Sequence, residues 1–326
     1  MTHARLLRKI GITLGSEDRL DDAMRFYAQA KGVLDQAGLR DQPWWSEWLD
    51  IHIEQMWIYY QADRWQDLED LAKHLQPAAE QYGAAAQRVG FFRCLSAMAL
   101  RRDRYVVDDE EALGYARKAL VAAEVSEEVV LVGHASFILG FNLLWHGAWV
   151  DAEQNLRRAL TIWERTGDVA GQAACHVYLT LIARLANNVE LVRQRATNAL
   201  DAATLANAVQ YIGAAKANLA WVALREGQQV EAEQLGRQAL DCWAPLANAY
   251  GLRWQAIWPL LWLRLERDDL AEAKALTDQL LAHSQQLPPT NLLPLLERVV
   301  LDSTDETQTG ELLRRAAGMA KTIGYL

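Results

Sequence analysis

The stretch Gly147-Ala148-Trp149-Val150-Asp151-Ala152-Glu153-Gln154 recurs eighty residues later as Gly227-Gln228-Gln229-Val230-Glu231-Ala232-Glu233-Gln234, and Arg158-Ala159-Leu160 recurs as Gln238-Ala239-Leu240. Midway, Asn188-Val189-Glu190-Leu191-Val192 fills the same register and Asn198-Ala199-Leu200 repeats the later match, so the unit is 40 residues. A unit that short cannot bury an apolar face alone. It has to stack on copies of itself, so the repeat sets the architecture before any local reading does.

The register extends through Ala23, Leu68, Ala112, Ala273 and Leu313, which makes eight units. Only seven prolines interrupt a chain of 326 residues rich in Ala, Leu, Gln, Glu and Arg, all strong helix formers. Each unit has room for two helices of about 16 residues, roughly 24 Å long, and short turns. The expected fold is all-α: one α-solenoid over residues 1–326, with antiparallel hairpins at roughly 4–37, 44–82, 84–124, 128–166, 168–206, 208–248, 251–286 and 290–324. Small residues on second helices, such as Ala152 and Ala232, let that helix approach the first helix of its unit, where Gly140 or Ala220 offers the matching close approach. Pro43 marks a helix start, Gly38, Gly83 and Gly167 mark stops, and Pro288-Pro289 separates the last two units.

The pattern Leu139-Gly140, Gly147, Asp151-Ala152, Ala159 resembles the tetratricopeptide motif, although the common motif runs 34 residues. The longer unit, with Ala214-Ala215-Lys216-Ala217-Asn218-Leu219-Ala220-Trp221 and Tyr105-Val106-Val107-Asp108-Asp109, resembles the repeat regions of large bacterial signalling ATPases, the maltose-type activators and ATPase-coupled cyclases. The resemblance implies a right-handed superhelix whose first helices line an inner surface.

Thirteen tryptophans are many for an Ala-rich solenoid. His134, Phe137, Phe141 and Trp145 step by 3, 4 and 4 along one helical face, separate from the packing face of Leu139, Gly140 and Leu143. Other first helices carry Trp57 and Tyr60, Tyr178, Trp221, and the run Trp254, Trp258, Trp262. With the implied inner surface, these rings border a groove that also holds Arg184 and Arg225, suited to a peptide, a partner helix or a small apolar ligand, with the arginines reading a carboxylate. Packing between neighbouring first helices competes as an explanation, above all for Trp65, Trp149 and Trp163, which belong to second helices. His134 is expected to be hydrogen-bonded within its stripe.

Net charge is -9 and the pI about 5.4, which opposes binding to nucleic acid or anionic membrane. No run of about 18 uninterrupted apolar residues supports a membrane span. The start, Met1 to Lys9, is helix-like without a signal-peptide core, so a cytoplasmic location is expected. Cys94, Cys175 and Cys242 are too scattered for a disulfide framework or a metal hook and read as small buried hydrophobes. Asp108-Asp109-Glu110-Glu111 complements a helix dipole, and Arg101-Arg102-Asp103-Arg104 is a solvated face. Phosphate-binding, dinucleotide, serine-hydrolase and zincin motifs are absent, and no histidine pair has ligand spacing. The expectation is a non-enzymatic recognition or sensor scaffold without cofactor or metal, bound to a protein or peptide. An inducer-binding module and a purely architectural solenoid that self-associates are the alternatives.

Overall fold

The computed structural model describes residues 2–17, 19–36, 39–107, 110–246, 250–301 and 305–326. Gly38, Asp108 and Asp109 lie outside the described residues. The described residues form sixteen helices and no strand. They divide into two compact units, Met1–Arg102 with Val107–Asn142, and Asp103–Val106 with Leu143–Leu326. The first unit holds α1 (Thr2–Ser16), α2 (Leu20–Asp35), α3 (Gln42–Gln61), α4 (Trp65–Tyr82), α5 (Ala85–Arg102), α6 (Glu110–Ser126) and most of α7 (Val129–His146). The second holds α8 (Trp149–Thr166), α9 (Val169–Leu185), α10 (Val189–Leu205), α11 (Val209–Arg225), α12 (Gln229–Trp243), α13 (Trp254–Glu266), α14 (Leu270–Leu281), α15 (Leu293–Leu301) and α16 (Glu306–Thr322).

The register residues explain why consecutive helices pair. Ala23, Leu68, Ala152, Val192, Ala232, Ala273 and Leu313 are 0% exposed and Ala112 is 4% exposed, one on each second helix. The glutamate after the repeated alanine joins one hairpin to the next. Glu153 accepts from Arg195 at 2.6 Å, and Glu233 accepts from Arg264 and, at 2.7 Å, from Arg267. Burial would raise the Glu153 carboxyl, but its hydrogen bonds from Arg195 and Arg157 hold it below the usual range.

The turns have a chain signature too. Gly147, Asn187, Gly227 and Asp268, one before each second helix from α8 to α14, all have φ between 53° and 86°. Left-handed backbone disfavours side chains other than Gly, Asn and Asp, so the residue types follow from the turn. Gly167 and Asn207 repeat this after second helices, and Glu127 takes the same backbone region there without being one of the favoured types. Asp168, Asn188 and Asp269 then cap the next helix, accepting from Gly171, Leu191 and Glu272 main-chain N–H groups at 2.9, 3.1 and 3.2 Å.

The first helices α9, α11 and α13 are enclosed on most sides, whereas second helices bury one stripe: α13 buries eleven of its 13 residues and α8 five of 18. Within the second unit the first helix α11 touches both α9 and α13, besides its hairpin partners. One helix among the described residues, α7, is long and apolar enough by length and composition alone to cross a membrane, although His134, Ser136 and Asn142 interrupt its apolar run. Half of it is buried in the fold. It also carries Asn142, 0% exposed, which donates to Ser96 Oγ at 3.0 Å and to the Ile138 carbonyl at 2.7 Å.

Candidate functional site

In the second unit three adjacent first helices bring a polar row together: Arg184 from the last turn of α9, Asn218 from α11 and Gln255 from α13. Each is 0% exposed. Arg184 donates to the main-chain oxygens of Gly324 at 3.0 Å and Tyr325 at 2.6 Å, to the Gln255 carbonyl at 3.0 Å and to Asn218 Oδ1 at 3.2 Å. Asn218 Nδ2 donates to Gln255 Oε1 at 2.9 Å, which fixes the amide orientation. Arg225, at the end of α11, donates to the Leu326 main-chain oxygen at 3.1 Å and to Asn187 Oδ1 at 3.0 Å.

The row therefore holds the main chain of the non-helical segment that follows α16. Tyr325 stacks on Trp254, and Leu326 is 3% exposed. Arg184 lies 5.5 Å from the Trp221 ring centroid and 5.1 Å from that of Trp254, and Arg225 lies 5.0 Å from that of Trp221. All four hydrogen-bond acceptors of Arg184 are neutral oxygens. Burial pushes its guanidinium down to about 9, Arg225 adding to the shift and Tyr325 opposing it. A buried cation is tolerable only when its donors are used, which makes the row and the segment mutually dependent.

The structure places the expected groove residues as follows. In the first unit, Trp57 and Tyr60 are half-buried and meet edge to face at 5.6 Å, with Arg93 over Trp57 and Arg101 over Tyr60. On α7, His134, Phe137, Phe141 and Trp145 are half-buried, Phe137 and Phe141 stack at 6.2 Å, and Trp145 meets Tyr105 edge-on at 5.8 Å. In the second unit, Tyr178 is 6% exposed and meets Tyr211 edge-on, while Trp221 and Trp258 are 0% and 1% exposed. Trp262 and Arg225 are half-buried. Arg184, Arg225 and Trp221 thus come together around the 324–326 segment. Of the second-helix tryptophans, Trp163 is buried, Trp65 half-buried and Trp149 exposed.

Asn218, Gln255 and Tyr325 escaped the sequence reading. The available signal was an amide inside an otherwise apolar first helix, as with Asn142 on α7. A second feature also went unread. Trp44, Trp45 and Trp48 of α3 line a cavity of about 480 Å³ with Tyr82, Arg40 and Lys31. Trp45 stacks on Tyr82 at 4.2 Å, and Arg40 lies over Trp44 at 4.9 Å.

No protein-family model matches the chain, and no curated protein sequence matches it. Solved structures do match. A Rap protein complexed with Competence and Sporulation Factor is 13% identical with a TM-score of 0.69, over 99% of this chain and 89% of that one. NprR in complex with its cognate peptide NprX is 12% identical with a TM-score of 0.61, over 97% and 82%. The apo form of the quorum sensor NprR from B. thuringiensis is 14% identical with a TM-score of 0.62, over 98% and 88%. At such identities the likeness speaks for the fold: the chain is an all-helical, tetratricopeptide-like repeat protein built as Rap and NprR are.

Proposed function

We propose that the chain is a non-catalytic sensor module that recognises a peptide through its first helices. The observation that carries this reading is the polar row on three adjacent first helices, in which Arg184 and Arg225 hold the main chain of a non-helical segment while Asn218 Oδ1 and the Gln255 carbonyl accept from Arg184 and so orient it. Donors aimed at main-chain oxygens suit a peptide of extended form, and aromatic seats beside them suit its side chains. One of the similar structures is named as a complex with a cognate peptide and another as a complex with Competence and Sporulation Factor, which supports the same reading. The half-buried aromatic residues Trp57, Tyr60, His134, Phe137, Phe141, Trp145 and Trp262 extend the proposed recognition surface along the first helices of each unit, with the buried Tyr178 and Trp258 packed beneath it.

A display selection of random peptides on the full chain tests it. Enriched peptides are expected to lose about tenfold or more in affinity against Arg225→Ala and Tyr178→Ala. No enrichment, or affinities equal in all three proteins, overturns the reading.

One observation favours a second ligand class. The cavity at Trp44, Trp45 and Trp48 has the volume of a small-molecule site, with Lys31, Arg40 and one acid, Asp35, in its lining. A thermal shift with a planar organic anion, lost in Trp45→Ala, supports an inducer site there, and no shift across a metabolite set removes it.

The finer reading is a module of a regulatory ATPase system in the cytoplasm. The 40-residue unit and the stretch Ala214–Trp221 support the first part. Three cysteines present as free thiols support the second. Co-purification with an ATPase from the native cell tests the ATPase link.

A further inference from the structure

We propose that Arg184, Asn218, Gln255 and Arg225 form a main-chain-reading site for a short peptide stretch with an aromatic residue followed by an aliphatic one, and that the chain's own Gly324-Tyr325-Leu326 occupies it as an internal ligand. The proposal rests on the peptide-recognition reading and adds its regulation: an incoming peptide that uses these donors has to displace residues 324–326.

Three features of the contact are those of a ligand and its site. The donors address the main-chain oxygens of three consecutive residues, Gly324, Tyr325 and Leu326, so the reading does not depend on side-chain identity. The donors come from more than 100 positions earlier in the chain, so no local turn explains the pairing. The side chains are seated separately: Tyr325 on Trp254, beside a narrow cleft lined by Trp258, Leu280 and Leu287, and Leu326 in a buried position.

The tether is short and local. Tyr325 and Leu326 main-chain N–H groups both donate to the Ala320 carbonyl, at 2.9 and 3.2 Å, so the segment can leave by unwinding one turn beyond α16. Gly324 is the lever. Its φ is 76°, and a Cβ there would lie 2.2 Å from the Arg184 carbonyl and 2.8 Å from Leu185 Cα. Only glycine fits both the left-handed backbone and the approach to the end of α9. While the segment is seated, the apparent affinity of the row for any other peptide falls by the fraction of molecules that are open.

The test uses the synthetic hexapeptide Lys-Thr-Ile-Gly-Tyr-Leu, the sequence of residues 321–326, carrying a fluorescent label. It is titrated into the full chain and into the double variant Gly324→Ala/Tyr325→Ala, with helicity checked by circular dichroism. The double variant is expected to bind the probe about tenfold or more tightly than the wild type, and adding Arg225→Ala is expected to remove the gain. Equal affinities, or no binding to either protein, overturn the proposal. A readout independent of the variant is amide hydrogen exchange in the wild type: a large excess of probe should speed exchange at Tyr325 and Leu326. Unchanged exchange with the probe bound overturns the proposal as well. Failure of the peptide-sensor reading has a different signature: the display selection on the wild type enriches nothing, while the probe still binds the opened variant. Selected peptides that bind the wild type and the opened variant equally well retain that reading and overturn the internal ligand.

Discussion

The ring of Tyr325 lies on that of Trp254 with centroids 4.0 Å apart and planes 11° from parallel, although 71 residues separate them. Tyr325→Ala removes the stack and leaves Trp254 facing solvent. Thermal denaturation is expected to show a loss of about 2–3 kcal/mol, and tryptophan emission is expected to shift to the red. An unshifted spectrum would mean that the stack does not shield Trp254.

Arg184 serves four oxygens at once, and no other side chain has the fork to do so. Arg184→Lys keeps a cation but cannot span the acceptors, and Arg184→Met leaves them all without a donor. Both are expected to destabilise the second unit by about 3 kcal/mol or more in urea titrations. If Arg184→Lys proves as stable as the wild type, the site needs only a charge.

Gly227 turns the chain with φ of 79°, and a Cβ there would meet no atom within 4 Å, so the cost of alanine is backbone strain alone. Gly227→Ala should cost about 1–2 kcal/mol. Asn207, at φ of 51°, already carries its strain, so Asn207→Gly should change stability by no more than about 0.5 kcal/mol. Chemical denaturation of the two variants side by side measures the difference.

His52 is buried, with Nδ1 2.7 Å from the Trp48 carbonyl, and burial pushes its imidazole from 6.5 down to about 4. Between those values the unfolded chain binds a proton that the folded chain refuses. Its contribution is therefore present above pH 6.5 and is lost as pH falls toward 4, by up to about 3 kcal/mol. Asp50 and Glu54, which burial raises, have the opposite slope. The difference between wild type and His52→Gln isolates the histidine: the variant should lose less stability on acidification from pH 7 to pH 4. Parallel pH profiles would exclude the effect.

Ala232 is 0% exposed on α12, and Leu260 already lies 3.0 Å from where a Cβ would stand on Gly236, one turn further along. Ala232→Leu should overpack the contact between α12 and α13 by about 1–3 kcal/mol, whereas Val230→Leu, at an 81% exposed position, should be neutral. Melting temperatures of the two variants decide it.

Much of the architecture was legible because repetition is a property of sequence. The register from Ala23 to Leu313 marks one buried residue on each second helix, and Gly147 and Gly227 mark turns that need a left-handed residue. The aromatic spacing correctly put Phe137 beside Phe141, since an α-helix fixes which side chains share a face. Periodicity says nothing of what covers that face, so Trp221 and Trp258, read alike with Trp262, differ from it in exposure.

The candidate site was only half legible. Arg184 and Arg225 stood out as cations near aromatic residues, but their partners are main-chain oxygens, and every residue carries one. Sequence by itself determined that this chain would stack helical hairpins, because the apolar positions recur at a fixed period and no single unit can bury them. Only the tertiary structure decided that Gly324, Tyr325 and Leu326 lie on α9, α11 and α13. That pairing depends on where helices more than a hundred residues apart come to rest, and it is held by donors that recognise a backbone common to all sequences.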